Sequence, residues 1–357
     1  MPPRPALSSL GRHCAVRIGI PIRDRPFATR ARRPPPPPPF ATVETCPEPT
    51  CGCAAMPAMP DGLPLDREGP MKGAIAGYAE QVLVCTGKHD WPSRIEEESS
   101  GDNLAADLKE LFGRGGEYSD PFHNVSVLNS SFPSSIPPRP EVQSTSAYLV
   151  PSFKYVPFLP RVSFDSVQAL AKGFLLPTKL HAAHDGLSPI HRDRLTRKDA
   201  YQGLLLGVQD VRDVLVLICG HAGRDARCGI VAPVLQAEFE EKLRAEGFDV
   251  LRGAVQVGGR DAPRIQGGGG GEEKTPARVG MISHVGGHKF AGNVIIYLPP
   301  ALRMGDKEHP LAGHGIWYGR VEPKHVEGIV KETILKGVVV ADMFRGGIDP
   351  ERKMLRM

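Results

Sequence analysis

The chain has 357 residues, 41% of them hydrophobic and 24% charged, which is typical of globular proteins and leaves room for two domains. Its formal net charge is +4, but residues 1–33, with eight arginines and one aspartate, hold +7 and leave −3 for the rest. This mildly acidic remainder argues against a nucleic-acid surface, and no apolar run reaches the roughly 18 residues that a membrane-spanning helix needs.

The first 40 residues have the composition of a targeting segment. They are rich in arginine, almost free of acids and contain Ser8 and Ser9, as mitochondrial transit peptides do, although a disordered basic tail would look similar. The six prolines at 34–39 predict an extended polyproline linker. Residues 1–40 are therefore interpreted as a transit peptide and linker, which predicts a protein of the mitochondrial matrix or intermembrane space.

An extended arm is predicted over residues 41–80, which are rich in Pro, Gly, Ala and Cys and show little periodicity. The chain's seven cysteines are too few and too unevenly spread for a secreted disulfide framework, so metal or redox use is favoured. Cys46, Cys51 and Cys53 lie in this arm, and the Cys-x-Cys spacing suits thiol exchange or a soft metal, or is incidental. Together with Cys85 they are the candidate redox thiols.

The first α/β block is predicted over residues 81–205. Val82 to Cys85 form a short apolar run typical of a buried strand. Asn103 then precedes a helix whose apolar face continues to Phe112. Further strands are expected at 125–128 and 147–150, and a further helix at Asp165.

The second block is predicted over residues 206–345, with 346–357 as a C-terminal tail. Its expected elements are a strand at 214–218, a helix at 230–246, strands near 250–257, 279–283, 294–298 and 316–318, and a helix from Pro323. This β-α-β then β-β-α order predicts a thioredoxin-like sheet.

Two segments suggest an internal repeat, because VLVCTGKH at 82–89 parallels VLICGH at 216–221. The first block is then a degenerate thioredoxin-like unit, unless two buried strands match by coincidence. The glycines at 267–271 resemble a phosphate-binding loop, but no Lys-Ser/Thr follows them, so a flexible insertion is predicted.

Cys219 and Cys228 form the first candidate site. Cys219 ends a predicted strand and Cys228 precedes a predicted helix, whose N-terminus would stabilise a thiolate. The loop between them carries Arg224, Asp225 and Arg227, which are expected to hold its shape or to lower the thiol pKa values. Nine residues are too wide a spacing for a redox Cys-x-x-Cys and wider than usual in zinc pairs, and two ordinary buried thiols remain an alternative.

His284 and His288 form the second candidate site, because two imidazoles four residues apart can reach one metal. Lys289 and Asn293 are expected to support them. His221 follows Cys219 as in the first half of a Rieske motif, but Gly-Ile-Val follows Cys228, so the second Rieske histidine is missing. A structural or supporting role is therefore predicted for His221. Two cysteines and two histidines suit either zinc or an iron-sulfur cluster.

The two motifs, CGHAGRDARCG at 219–229 and HVGGHKFAGN at 284–293, resemble the fungal sucrase/ferredoxin-like family. The nine-residue cysteine spacing favours its mitochondrial branch, and the similarity extends over residues 41–345.

This resemblance implies a thioredoxin-like ferredoxin domain with a [2Fe-2S] cluster. The ligands that it implies are Cys219, Cys228, His284 and His288. An electron carrier or redox regulator that works with redox partner proteins is then favoured over an enzyme with its own substrate. A thiol-disulfide regulator that uses the N-terminal cysteines and a structural Cys2His2 zinc protein remain the alternatives.

Overall fold

The computed structural model describes residues 37–98, 103–137, 139, 141–257 and 274–357. Residues 1–36, which hold the Arg-rich start and half of the polyproline run, and the glycines at 267–271 lie outside the described residues. Within the described ranges, no helix combines the length and apolar composition that crossing a bilayer requires. The chain is a mixed α/β protein, which confirms the predicted class.

The first half begins its regular structure where the apolar runs predicted it. Asn103 caps the first long helix by accepting a hydrogen bond from the Ala106 amide at 3.1 Å. The elements are β1 (Thr42–Val43), β2 (Glu80–Cys85), α1 (Leu104–Phe112), β3 (Val125–Ser130), β4 (Ser144–Val150), β5 (Lys154–Pro160), α2 (Asp165–Leu170) continued by a π-helical turn (Ala171–Leu175), α3 (Pro189–Arg194) and β6 (Gln209–Asp210).

The second half follows the predicted order with different boundaries. The elements are β7 (Val214–Cys219), α4 (Ala226–Ala245), β8 (Asp249–Val250), β9 (Pro276–Ile282), β10 (Val294–Tyr297), β11 (Arg303–Met304), β12 (Lys307–Glu308), β13 (Gly315–Tyr318), α5 (Pro323–Ile329) continued by a π-helical turn (Val330–Leu335), β14 (Val339–Val340), β15 (Phe344–Ile348) and β16 (Met354–Leu355).

Helix α4 starts four residues earlier than predicted. Asp225 caps it by accepting a hydrogen bond from the Arg227 amide at 3.1 Å, so the helix begins at Ala226. Cys228 therefore lies in the first turn of α4 rather than before the helix. The strand predicted at 250–257 is also wrong in length, because only Asp249 and Val250 pair with β9.

Both halves repeat one pattern of strand pairing. β2 lies between parallel β3 and antiparallel β4, and β4 pairs with antiparallel β5. β7 likewise lies between parallel β9 and antiparallel β10, and β10 pairs with antiparallel β13. In each half an α-helix that continues as a π-helical turn follows. The similarity that the sequence indicated for one strand therefore extends over a whole β-α-β-β-β-α unit, whose thioredoxin-like nature stays a prediction.

The two halves share a single sheet. Ser130 of β3 pairs antiparallel with Ile282 of β9, and the strands run in the order β16-β15-β13-β10-β7-β9-β3-β2-β4-β5-β6. The predicted boundary at 205/206 thus separates two halves of one sheet. Residues 346–357 complete β15 and form β16, so the prediction of a tail there is wrong.

The core has layers on both faces of the sheet. Val82 and Val84 face one cluster together with α1 and α2, while Leu83 and Cys85 face another. The same alternation along β7 directs its odd and even positions to opposite faces, as a strand requires. The cluster away from the helices continues from one half to the other and joins them.

The arm that the sequence left without structure is docked against the second half. β1 pairs in parallel with β14, and the Glu327 carboxylate of α5 accepts a hydrogen bond from the Thr50 amide at 2.8 Å. On α4, Lys242 donates to the Gly52 carbonyl at 2.9 Å and Glu238 accepts from the Ala54 amide at 2.5 Å. The arm is extended, as predicted, and side chains of α4 and α5 hold it through its own backbone groups.

The junction between the halves predicts a steric test at Gly280. A Cβ atom added at Gly280 of β9 would lie 2.6 Å from the ring of Phe132, which follows β3. We expect Gly280→Ala to lower the free energy of unfolding by about 1–3 kcal/mol, because overpacking forces the ring or a strand to move. Urea unfolding measures this. Gly253→Ala is the control, because nothing lies within 4 Å of that position, and equal losses in both variants would contradict the packing described.

Candidate metal centre

Cys219 and Cys228 meet below the surface. β7 brings Cys219 to the end of a central strand, and the first turn of α4 brings Cys228 against it; their exposed fractions are 1% and 0%. Both thiols pack with Ala291, and Leu65 of the arm covers this small cluster. The predicted pairing of the two cysteines in one site is therefore present in the fold.

The two thiols have opposite proton affinities. A hydrogen bond from the Cys228 thiol, aided by His284 and the Val285 amide, holds the pKa of Cys219 well below its usual value, although burial opposes this. The same hydrogen bond to Cys219 and burial raise the pKa of Cys228. The pair therefore favours the thiolate form at Cys219, and the thiolate is the form in which cysteine binds metals.

The loop between the cysteines is braced by its own ion pair. The Arg227 guanidinium donates to both carboxylate oxygens of Asp225 at 2.9 Å and to the Pro64 carbonyl at 2.9 Å. Exposed Arg224 donates to the Ser93 hydroxyl at 3.2 Å. The predicted role of these side chains in holding the loop is what the contacts show.

The two histidines lie on the loop that follows β9. Gly286 and Gly287 have φ values of +81° and +70°, which let the backbone turn back between them. The rings of His284 and His288 are 5.4 Å apart and tilted by 35°. The His284 Nδ1 atom is buried without a hydrogen-bond partner, whereas His288 is 46% exposed with Nε2 3.9 Å from Asp225.

These donors are arranged as pairs. Among the described residues, no group of three or more His, Cys, Asp or Glu side chains is placed to hold one metal ion. The fold instead brings Cys219 to Cys228 and to His284, and His284 to His288.

His221 connects the cysteine loop and the loop that carries His284 to the first half of the chain. Its ring is 1% exposed, and Nε2 lies 3.0 Å from the Trp91 carbonyl and 2.9 Å from that of Pro92. Its Nδ1 accepts a hydrogen bond from the His284 amide at 3.0 Å, which leaves the proton on Nε2. His221 therefore holds the backbone of His284 in place, while its supporting role in the site stays a prediction.

The remaining predicted supporting residues lie on the other side of the histidine loop. The Asn293 amide donates to the Gly287 carbonyl at 3.0 Å, and its oxygen accepts from Arg345 at 2.6 Å. Lys289 forms an ion pair with Asp66 of the arm at 2.8 Å. Sequence reasoning missed Arg345, because it lies far along the chain in a segment assigned partly to a tail.

The other thiols lie away from this site. Burial raises the pKa of Cys46 to about 12, and burial also raises the pKa of Cys85 to about 12. Cys51 and Cys53 are exposed on the arm, and the Cys51 thiol donates to Glu327 at 3.2 Å. Of the four predicted redox thiols, only these two are accessible in their present environment.

A cavity of about 420 Å3 adjoins His284. It lies between α1 and the cysteine loop, and its wall includes Arg94, Lys109 and Arg224. The cavity therefore opens to solvent beside His284, where the two halves meet, whereas Cys219 and Cys228 are buried.

The contacts of His221 predict a large effect of its removal. We expect His221→Ala to lower the free energy of unfolding by about 1–3 kcal/mol, because the His284 amide and a buried carbonyl lose their partner. Urea unfolding of the apoprotein measures this. His89→Ala is the control, since His89 is exposed and lies next to Trp91 and Pro92, in the segment of the first half that His221 contacts. An unchanged His221→Ala transition would contradict the bridging role.

Curated relatives match most of the chain. A protein from Meyerozyma guilliermondii named altered inheritance of mitochondria protein 32 is 28% identical over 315 residues, which is 86% of this chain and 95% of that protein. The Clavispora lusitaniae protein of that name is 39% identical over 132 residues, 37% of this chain and 34% of its own length. Actin patches distal protein 1 from Saccharomyces cerevisiae is 33% identical over 157 residues, 44% of this chain and 41% of that protein.

No solved structure matches the chain. The family model described as sucrase/ferredoxin-like matches residues 71–346, a span that holds both cysteines and both histidines of the site. The chain therefore belongs to the sucrase/ferredoxin-like family.

Proposed function

We propose that this chain is a mitochondrial redox protein that holds a [2Fe-2S] cluster with Cys219, Cys228, His284 and His288. The observation that carries the proposal is the position of buried Cys219, in contact with a second thiol and with the first of two neighbouring imidazoles. Thiolates and imidazoles are the protein ligands of such clusters.

The residues fit this group in two respects. The buried Nδ1 of His284 has no partner in the described part of the chain, as a nitrogen reserved for a metal would have none. A two-iron cluster also needs only two side chains on each iron, so paired donors suit it. A structural zinc ion needs four donors around one centre and is the alternative that the experiment below distinguishes.

When bound, a [2Fe-2S] cluster supplies a one-electron couple. The side chains set the conditions of that couple. Two neutral imidazoles in place of two thiolates lower the negative charge at the site, which favours reduction as in Rieske centres. His288 is 46% exposed, so its ring is open to water, and Nε2 lies 3.9 Å from the Asp225 carboxylate. We therefore propose that reduction is coupled to protonation and depends on pH.

The remaining parts of the proposal concern fold and place in the cell. The strand order of each half supports a thioredoxin-like ferredoxin unit, and the first half supports a duplicated, degenerate copy. The names of the matched relatives support a mitochondrial location, in the matrix or the intermembrane space. Electrons would pass to and from redox partner proteins, without a small-molecule substrate of the chain's own.

Thiol-disulfide exchange is a weaker candidate. Burial raises the pKa of Cys46 and of Cys85, which disfavours the thiolates that exchange requires, and the Cys51 thiol donates a hydrogen bond to Glu327. Cys53 is exposed on the arm, which makes it a suitable control for the experiments on the cluster.

The proposal predicts different results for cysteine and histidine variants. We expect anaerobically purified wild-type protein to be red-brown and to give a paramagnetic resonance signal after reduction. Cys219→Ser and Cys228→Ser should lose most of the bound iron, because serine is a poor replacement for a thiolate. Replacing both histidines by cysteine should keep a cluster with a lower reduction potential and a weaker pH dependence, since two negative charges are added and the titrating rings are removed.

Iron content, visible spectra and midpoint potentials measured from pH 6 to 9, roughly the range in which imidazoles titrate, provide the test. Cys53→Ser should match the wild type. A colourless wild-type protein that binds zinc would contradict the proposal, and so would His284→Ala and His288→Ala proteins with unchanged spectra and potential.

Import provides a separate prediction. We expect the organellar protein to begin between about residues 30 and 45, because the Arg-rich, acid-poor start has the composition that the processing machinery removes. N-terminal sequencing of the protein from isolated mitochondria measures this. A variant that starts at residue 41 should stay outside the organelle, and Met1 on the organellar protein would contradict cleavage.

A further inference from the structure

Arg345 is a buried cation without a carboxylate partner in the described part of the chain. It lies on β15, and its exposed fraction is 1%. Its guanidinium donates to the Ala74 carbonyl at 2.5 Å, to the Gly286 carbonyl at 3.3 Å and to Asn293 at 2.6 Å, while Nε is buried without a partner. A buried charge whose hydrogen-bond partners are all neutral oxygens is costly, so other groups must contribute to its stability.

The cysteine pair of the site contributes to this stabilisation, beside the Phe290 ring, whose centroid lies 5.8 Å from the guanidinium carbon. Burial lowers the pKa of Arg345 to about 10, and negative charge on the cysteine pair acts against that shift. The guanidinium is therefore within electrostatic reach of the thiols, although it makes no direct hydrogen bond to them among the described contacts. In a site closed to water this attraction is much stronger than it would be at the surface.

The loop between His284 and His288 packs directly on the Arg345 guanidinium. A Cβ atom added at Gly287 would lie 2.6 Å from Arg345 Nη2, so the loop rests directly on the planar group. Arg345 binds the Gly286 carbonyl, and Asn293, itself held by Arg345, binds the Gly287 carbonyl. The Gly286 carbonyl is thus held by Arg345 directly, and the Gly287 carbonyl is held through Asn293.

We infer that Arg345 is a positioning residue of the site, which holds the loop between His284 and His288 and stabilises additional negative charge on the cysteine side. This inference rests on the proposed function, because the additional charge is the electron that the site accepts. Removal of the positive charge disfavours the reduced state, whereas a change that keeps the charge and removes the fork of donors loosens the loop. The two roles are separable by substitution.

The test uses the full-length protein with Arg345→Gln, Arg345→Lys and the control Arg278→Lys. Arg278 is also a buried arginine of the sheet, but it pairs with Asp213 at 2.5 Å and lies outside the site. At fixed applied potential we expect Arg345→Gln to lower the ratio of reduced to oxidised protein at least tenfold, which corresponds to about 59 mV for one electron. Arg345→Lys should stay within about threefold of the wild type, since the charge remains.

Hydrogen exchange of the apoprotein reports the positioning role without any cluster. The amides of Phe290 and Ala291 donate to the Gly287 and His288 carbonyls at 2.8 and 3.0 Å. Both Arg345 variants should exchange these amides at least tenfold faster than Arg278→Lys does, because the loop loses its support. If Arg345→Gln fails to fold, Arg345→Lys still measures this loss.

The outcomes distinguish this inference from the proposed function. A wild-type protein with a cluster and Arg345 variants with wild-type potential and exchange would overturn the inference alone. A wild-type protein without a cluster would overturn the proposed function and the charge role together. Hydrogen exchange of the apoprotein then decides the positioning role. If the Arg345 variants exchange the loop amides at the same rates as Arg278→Lys, the positioning role is overturned as well.

Discussion

The burial of a thiolate at Cys219 is the constraint on which the surrounding structure depends. A negative charge removed from water requires hydrogen bonds and nearby positive charge, or it takes up a proton. Cys228, His284 and the Val285 amide supply the bonds, and the Arg345 guanidinium supplies the charge. Each comes from a different element, so the helix start, the histidine loop and a distant strand must all be in place around one sulfur atom.

The first half of the sheet takes part in the same site, although it holds none of the proposed ligands. In the segment after β2, the Trp91 and Pro92 carbonyls accept a hydrogen bond from the His221 ring. Asp90 of the same segment accepts a hydrogen bond from the Gly223 amide at 3.0 Å. The continuous sheet holds this segment beside the cysteine loop. The first half thus supports the cysteine loop of the second half without supplying any of the proposed ligands.

The local motifs predicted the parts of the site that depend on short spacing. Cys219 at a strand end, the turn at Gly286 and the cap at Asn103 follow from residue type and immediate neighbours. Arg345, the docking of the arm through Glu327 and the role of Asp90 were not predictable, because each depends on partners that are remote in the chain. The helix start was misplaced because Asp225 was assigned to a polar loop, although an aspartate is also a good helix cap.

The support of the site by remote segments has a consequence for its assembly. Arg345 and its partner Ala74 are separated by 271 residues, so this contact has a high contact order and forms only after nearly the whole chain is available. A nascent chain on the ribosome holds Cys219 and His284 long before β15 exists. We therefore expect the proposed centre to be assembled after translation. The form that binds the cluster would then be the completed sheet rather than a folding intermediate.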